Sequence, residues 1–329
     1  MKRPLKIVIT TGDSNGIGTE ITAKALAKLK PQKGVHFILW RTPRCPRRHL
    51  QMLDSYFTRV SVSTWPEALK MAPVSYKELV DISSNLRPPK WVELTAKGSL
   101  FGHVDALATA PLSKKEIIDS GFNVVGHTEI LKKVSKAPHL FMAFVGKHFN
   151  VLIITGHLAH KKVASKLTQE LVLKSLIAAN RLRKLLPQKK MKKPIALLGL
   201  NPHAGEEGII GSEEEKILIP AMKEAECHKV SVQGPLVPDA AFFEENWNKY
   251  SVFVCPYHDQ GLIPFKMAHG QNSGVHITLG LPFVRTSVDH GTAKNIFGKN
   301  RANPGSMIEA IKWAILLAKQ GEQKSSPVI

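Results

Sequence analysis

The chain has 329 residues and carries 46 Lys and Arg against 26 Asp and Glu, a formal charge of +20. With 43% hydrophobic and 22% charged residues it has the apolar content of a packed core, which excludes a disordered chain, and its length predicts two domains. No apolar run approaches the roughly 18 residues that cross a bilayer, so no membrane partner is expected. The apolar stretch from Leu5 to Ile9 behind Lys2 and Arg3 is too short for a signal-peptide core. Cys45, Cys227 and Cys255 are odd in number and far apart. That excludes a disulfide framework and a cysteine zinc site, and it suits a reducing, cytoplasmic location.

In chain order, LKIVIT at 5–10 predicts a buried strand, followed by a Gly-rich turn and a helix over 19–30 with Ile21, Ala25 and Leu29 on its apolar face. A strand is expected at 35–39. Residues 41–100 carry only weak helix and strand signals among prolines, serines and basic residues. A strand at 104–109 and a short helix at 113–120 follow. Two strands at 140–145 and 150–155 are joined by a tight turn at Gly146–Lys147, and a long helix spans 168–186 up to Pro187. Beyond it come a strand at 195–200, a charged helix at 213–226, a strand at 252–255, a last strand at 276–279 and a final helix from 304 or 305 to 319. Strands alternating with helices predict an α/β architecture with mainly parallel pairing. The residue types suited to chemistry fall just after strand C-terminal ends, where open α/β sheets bind ligands.

The basic residues cluster at Arg41, Arg44, Arg47 and Arg48, and again from Arg181 to Lys193. Such clusters suit phosphate backbones, but aromatics make up 7% and do not interleave with the charges. Stacking platforms are therefore missing, and a solvated surface, with nucleic acid not a partner, is the simpler reading. An anionic small substrate would gain from the charge equally.

Four constellations carry possible chemistry. Gly12, Gly16 and Gly18 are spaced G-x-x-x-G-x-G, neither a dinucleotide fingerprint nor a P-loop. They permit close approach of a ligand or of another element, or simply form a tight turn. His157, His203 and His258 each follow a predicted strand, in separate loops. Three imidazoles and an open position suit a catalytic Zn²⁺ or similar ion, with Asn201 and Asp259 placed to orient a ring. Surface rings are the alternative. Gly126-His127-Thr128-Glu129 opens a predicted helix, where backbone N–H groups and a hydroxyl suit an anion. The block from Lys266 to Ala302 holds Lys266, Arg285 and Asp289-His290-Gly291-Thr292-Ala293, then Asn295. Its cations suit a phosphate or carboxylate and its small residues the approach of a flat cofactor.

Together these motifs resemble the 4-hydroxythreonine-4-phosphate dehydrogenase family of vitamin B6 biosynthesis. The residues that carry the resemblance are TTGDSNGIGTEI at 10–21, ATAPLSKKEI at 108–117, GHTEIL at 126–131, TGHLAH at 155–160 and LGLNPHAGEEGIIGSEE at 198–214. GPLVPDAAF at 234–242, PYHDQGLIPFK at 256–266 and ITLGLPFVRTSVDHGTA at 277–293 complete the set. The resemblance implies an isocitrate/isopropylmalate dehydrogenase-like fold, with two α/β/α domains and a cleft between them. Residues 1–125 with 280–329 are expected on the cofactor side, and 126–279 are expected to serve metal, substrate and dimerisation. It also implies a homodimer with the site at the interface, NAD (NADP being the alternative) and a divalent metal, Zn, Co or Mg. His157, His203 and His258 fall on the metal ligands. His127, Thr128, Lys266, His276 and Arg285 fall on substrate-binding positions, and His290, Gly291, Thr292, Ala293 and Asn295 on the cofactor loop. Lys266 and Asp239 are the catalytic candidates.

The implied reaction is oxidation of 4-phosphohydroxy-L-threonine to 2-amino-3-oxo-4-phosphohydroxybutyrate, which decarboxylates to 3-amino-2-oxopropyl phosphate. The chain departs from the family pattern at three points. His276 replaces an Asn, Gly12-Asp13-Ser14-Asn15-Gly16 replaces Gly-Asp-Pro-Ala-Gly, and Asn295 stands where relatives carry an acid. Residues 40–100 carry little of the pattern. The alternatives are a paralogue that oxidises a threonate or erythronate phosphate, and a non-catalytic, basic nucleic-acid-binding descendant.

Overall fold

The computed structural model describes residues 3–124, 126–270 and 273–321. By their contacts these form two compact units, 3–138 with 273–321, and 139–270. The sequence reading set these divisions at 125/126 and 279/280. The contacts therefore group the GHTE helix and the ITLGL strand with the first unit.

The first unit begins with β1 (Leu5–Thr10), the Gly-rich turn, α1 (Gly18–Leu29) and β2 (Val35–Arg41). β1 pairs parallel with β2, Ile7 facing Phe37, and its Ile7, Val8 and Ile9 are fully buried. Such a continuous apolar run is what a parallel strand covered on both faces requires. The weakly patterned stretch folds as α2 (Arg47–Asp54), β3 (Thr58–Val62), α3 (Trp65–Lys70), β4 (Glu78–Ser83) and α4 (Pro88–Leu100). β3 and β4 extend the parallel sheet beyond β2. Trp40 stacks between Trp65 and Trp91, at 5.0 and 6.1 Å between centroids, and makes the core there. β5 (Ala106–Thr109), α5 (Lys114–Asp119) and α6 (His127–Ser135) follow.

The chain then builds the second unit. β6 (Phe141–Val145) and β7 (Asn150–Ile153) form the expected antiparallel hairpin, with Val145 opposite Asn150. After a short helix α7 (Val163–Lys166) come α8 (Gln169–Leu185), capped by the Thr168 hydroxyl on Leu171 N–H, and α9 (Gln188–Met191). β8 (Ile195–Leu198) leads to a π-helical turn (Glu214–Leu218) and α10 (Ile219–Cys227), where a single charged helix was expected. β9 (Val232–Leu236), β10 (Phe253–Cys255) and α11 (His258–His269) complete the unit. Its sheet runs β6-β7-β10-β8-β9, parallel from β7 onward. Its core gathers Phe149, Phe253, Phe265 and Leu198.

Returning to the first unit, the chain forms β11 (Val275–Leu279), β12 (Val284–Val288) and α12 (Gly305–Gln320). The unit's sheet order is β3-β4-β2-β1-β5-β12-β11. The expected last strand at 276–279 is thus followed by another. The two are antiparallel, with His276 opposite Ser287, and β12 pairs parallel with β5. One further expectation is corrected. His258 does not sit in a loop but opens α11, a helix that contains Gly261 and Pro264. Gly234, Pro235 and Leu236 form the end of the strand β9.

Candidate active site

Two of the predicted substrate-binding side chains, Arg285 and His276, lie on one face of the adjoining strands β12 and β11. Arg285 is 2% exposed, yet its hydrogen-bond partners are all neutral. Nη2 donates to Thr109 Oγ1 at 2.8 Å, and Nη1 to Thr278 Oγ1 at 3.0 Å and His276 Nδ1 at 3.1 Å. The Ser287 hydroxyl lies 3.3 Å from the same His276 nitrogen. Pairing register places these groups together, because Ser287 stands opposite His276 on one side and Thr109 on the other, and alternate residues share a face. Burial pulls the guanidinium down to about 9, which leaves it charged at neutral pH. Its Nε is sealed from solvent without a partner. A buried cation held only by dipoles, with a donor to spare, is matched by an anion.

His127 begins α6 and Thr128 follows it in the first turn, behind the N-cap Gly126. Burial, and secondarily the Arg285 charge, hold the His127 pKa well below its usual value, so the ring is neutral. Its Nε2 is also sealed and unpartnered. The structure therefore brings His127, His276 and Arg285 to one station, at the positive end of a helix.

The loop expected to serve the cofactor forms a pocket of about 520 Å³ lined by His290, Gly291, Ala293 and Asn295, with Ile17, Ile296, Arg301 and Asn303. That volume lies in the range of small-molecule sites. A Cβ built at Gly291 would meet nothing, so this glycine leaves open space. Thr292 faces the Gly-rich turn instead. Its carbonyl accepts from Ile17 N at 3.1 Å, and a Cβ on Gly16 would approach its Cβ to 3.2 Å. At Gly18 a Cβ would lie 1.9 Å from Thr11 O. Gly16 thus serves close packing of the turn against the loop of Thr292, and Gly18 close packing within the turn itself. The buried Asp13 joins the same assembly, accepting from Ser113 Oγ at 2.5 Å and facing Lys294 Nζ at 3.5 Å. Arg301 and Asp13 were not among the sequence candidates. Nothing in the local pattern separates Arg301 from other surface cations.

In the second unit, His157 and His258 have ring centroids 5.2 Å apart. Two imidazoles on one tetrahedral ion, with metal–nitrogen bonds of about 2.0–2.1 Å, have centroids about 5 Å apart. His258 Nδ1 lies 2.6 Å from Asp259 Oδ1. That carboxylate fixes the tautomer and leaves Nε2 with its lone pair, as a ligand requires. These residues fit a divalent metal. His203 lies on an exposed left-handed turn, 3.6 Å from Glu206. Among the described residues no three His, Cys, Asp or Glu side chains gather as a metal cluster within the chain. One chain therefore brings together two of the three predicted ligands. Lys266 is exposed on α11, and Asp239 is exposed in the turn after β9.

The fold is that of the isocitrate/isopropylmalate dehydrogenase-like class. A β-decarboxylating dehydrogenase from Thermococcus kodakarensis shares the fold, with TM-score 0.56, 14% identity, and coverage of 97% of this chain and 85% of that one. A 4-hydroxythreonine-4-phosphate dehydrogenase structure from Klebsiella pneumoniae aligns with TM-score 0.76 and 31% identity over 96% of this chain and 98% of that one. The protein of that name from Sulfurihydrogenibium sp. (strain YO3AOP1) is 37% identical over 96% of this chain and 99% of its own. A relative from Oceanobacillus iheyensis that bears the name of a D-threonate 4-phosphate dehydrogenase is 33% identical over 96% of this chain and 98% of its own. The family model "Pyridoxal phosphate biosynthetic protein PdxA" matches residues 69–314, and the chain belongs to that family.

Proposed function

We propose that the protein oxidises 4-phosphohydroxy-L-threonine with NAD or NADP, in a divalent-metal-dependent reaction of pyridoxal phosphate biosynthesis. The observation that carries the reading is Arg285, a buried cation whose partners are all neutral, with His127 beside it. Arg285 would hold the substrate phosphate, and His127 and Thr128 would add neutral donors at the start of α6. His276, bonded to Arg285, orients the guanidinium and borders the bound substrate. His290, Asn295, Arg301 and Asn303 would bind the adenosine end of the coenzyme. His157, His203 and His258 would hold the metal ion. Lys266, with Asp239 as the other candidate, would take the hydroxyl proton as the carbinol hydrogen leaves as hydride. When bound, the ion supplies electrophilic polarisation of the reacting oxygen and the nicotinamide accepts the hydride. The resulting 2-amino-3-oxo-4-phosphohydroxybutyrate loses CO₂ and gains a proton to give 3-amino-2-oxopropyl phosphate.

A homodimer belongs to the same proposal. It is supported by the incomplete ligand set of one chain and by Ile263 and Met267, four residues apart on α11 and 58% and 82% exposed. A cytoplasmic location is supported by the three free cysteines. No helix among the described residues is long and apolar enough to cross a membrane.

The test is formation of reduced nicotinamide from 4-phosphohydroxy-L-threonine with Zn²⁺, Co²⁺ or Mg²⁺ added. Absence of turnover with every ion, in folded protein, rejects the reading. His276 and the Oceanobacillus relative favour D-threonate 4-phosphate as a second substrate. Comparing kcat/KM on the two phosphates decides between them.

A further inference from the structure

His203 sits in an unusual backbone. From His203 to Gly208 every φ is positive, at 52, 54, 85, 45, 55 and 87° in turn, and four of the six residues are not glycine. Left-handed conformation is costly for residues with a Cβ, and a run of it persists only where the surroundings enforce it. A buried carboxylate lies at the base of the loop. Glu214 is 3% exposed and belongs to the π-helical turn that precedes α10. Its Oε1 accepts from Leu200 N at 2.7 Å and from Asn201 N at 2.8 Å, and its Oε2 accepts from Asn201 Nδ2 at 2.9 Å. Among the described residues no cation pairs with it, so N–H donors at the base of the His203 loop satisfy its charge.

The backbone also closes on this carboxylate from both sides of His203. A Cβ on Gly199 would lie 3.3 Å from Oε1, and one on Gly205 would lie 2.7 Å from Oε2. Asn201 is held in turn by Glu213 Oε2 at 2.8 Å. A π-helical turn adds one residue to a helix and so re-aims the side chains around it. Here it carries the carboxylate that meets the strand exit.

We propose that Glu214 is a positioning residue for His203. Its carboxylate fastens the left-handed loop and thereby sets the direction in which the imidazole is offered to a divalent metal. The inference rests on the reading of His203 as a ligand. Glu214 does not touch the ion; it acts through the loop backbone and Asn201.

The test uses the full chain with Glu214→Gln, which keeps the shape but sets an amide donor against Asn201 Nδ2. Co²⁺ is titrated into wild type, Glu214→Gln and His203→Ala and followed by its visible absorption. Amide hydrogen exchange over residues 200–211 is measured without metal. The expected result is Co²⁺ affinity lowered about 10- to 100-fold in Glu214→Gln, a spectrum shifted toward that of His203→Ala, and faster exchange confined to the loop. Unchanged affinity and spectrum in Glu214→Gln, with binding weakened in His203→Ala, would overturn the proposal while leaving the ligand reading intact. Unchanged Co²⁺ binding in His203→Ala would overturn the ligand reading, and the proposal with it. Should Glu214→Gln not fold, Asn201→Ala keeps the carboxylate, removes its side-chain bond, and is read in the same way.

Discussion

Arg285 shows what a single side chain commits the protein to. A guanidinium without a carboxylate, 2% exposed and fixed by Thr109, Thr278 and His276, is costly unless an anion completes it. Replacement by Lys keeps the charge but loses the planar fork, and an ammonium whose three donors met the three neutral acceptors would have none left for an anion. Arg285→Lys is expected to lose about 1.5–3 kcal/mol of binding to a phosphorylated substrate, roughly 10- to 150-fold in kcat/KM. Most of it should appear as a raised KM, as measured by initial-rate kinetics. An unchanged KM would place the phosphate elsewhere. Arg285 and His127 could be singled out in the sequence because each sits in a recognisable motif, and His276 because it departs from the pattern beside one. Thr109 and Thr278 were not legible as its partners. That requires knowing that β5, β12 and β11 are neighbours in that order, which no local pattern encodes.

Within the elements, β2 carries a buried group that makes stability depend on pH. His36 is 1% exposed, neither ring nitrogen has a hydrogen-bond partner, and burial with the nearby Lys6 charge pushes its pKa down to about 4. In the unfolded chain the ring takes a proton near 6.5, the ordinary value for an imidazole. Its contribution is therefore fully present above 6.5 and is lost as pH falls from there toward 4, a loss of about 3 kcal/mol. His36→Leu should flatten that part of the profile in denaturant unfolding across the window, and an unaltered slope would show that other groups govern it. His36 was readable only as part of a strand, since burial on both faces depends on the elements packed over the sheet. The same limit explains the rest of 41–100. Thr64 and Glu67 form a capping box at the start of α3, a signal present in the sequence. The short strands β3 and β4 lack strong alternation and gain their place from parallel pairing. α11 was not expected, because Gly261 and Pro264 within it interrupt the helical pattern. β1, α1, β6, β7, α8 and α12 were legible because their apolar period is unbroken over the whole element.

At the scale of the whole molecule, several of the cations behind the net charge of +20 are engaged within the fold. Arg41 forms a two-toothed pair with the buried Asp81. Arg183 serves Asn180 and the carbonyls of Met191 and Lys193, while Lys190 serves the carbonyls of His148 and Trp247 and Lys193 that of Asn248. The clusters that invited a nucleic-acid reading thus contain members that tie backbone together. The ligand set makes a sharper demand on the whole molecule. His157 and His258 adjoin within one chain, and His203 does not join them there. If the third imidazole comes from the second copy, each site of a homodimer takes His157 and His258 from one protomer and His203 from its partner. His157→Ala and His203→Ala homodimers should each be inactive, whereas mixing and refolding them together creates heterodimers with one intact site. Activity should then return, toward about a quarter of the wild-type level for random pairing, since half the dimers carry one site of two. Mixing His157→Ala with His258→Ala should restore nothing, because every site then lacks one member of the adjoining pair. Recovery from the second mixture but not the first would assign His258, rather than His203, to the partner chain. Recovery from neither would confine all three ligands to a single protomer. Ile263→Glu, placed on the exposed apolar face of α11, should weaken association in sedimentation measurements and lower Co²⁺ affinity in step with the dimer fraction, because a separated chain offers two imidazoles where three are needed.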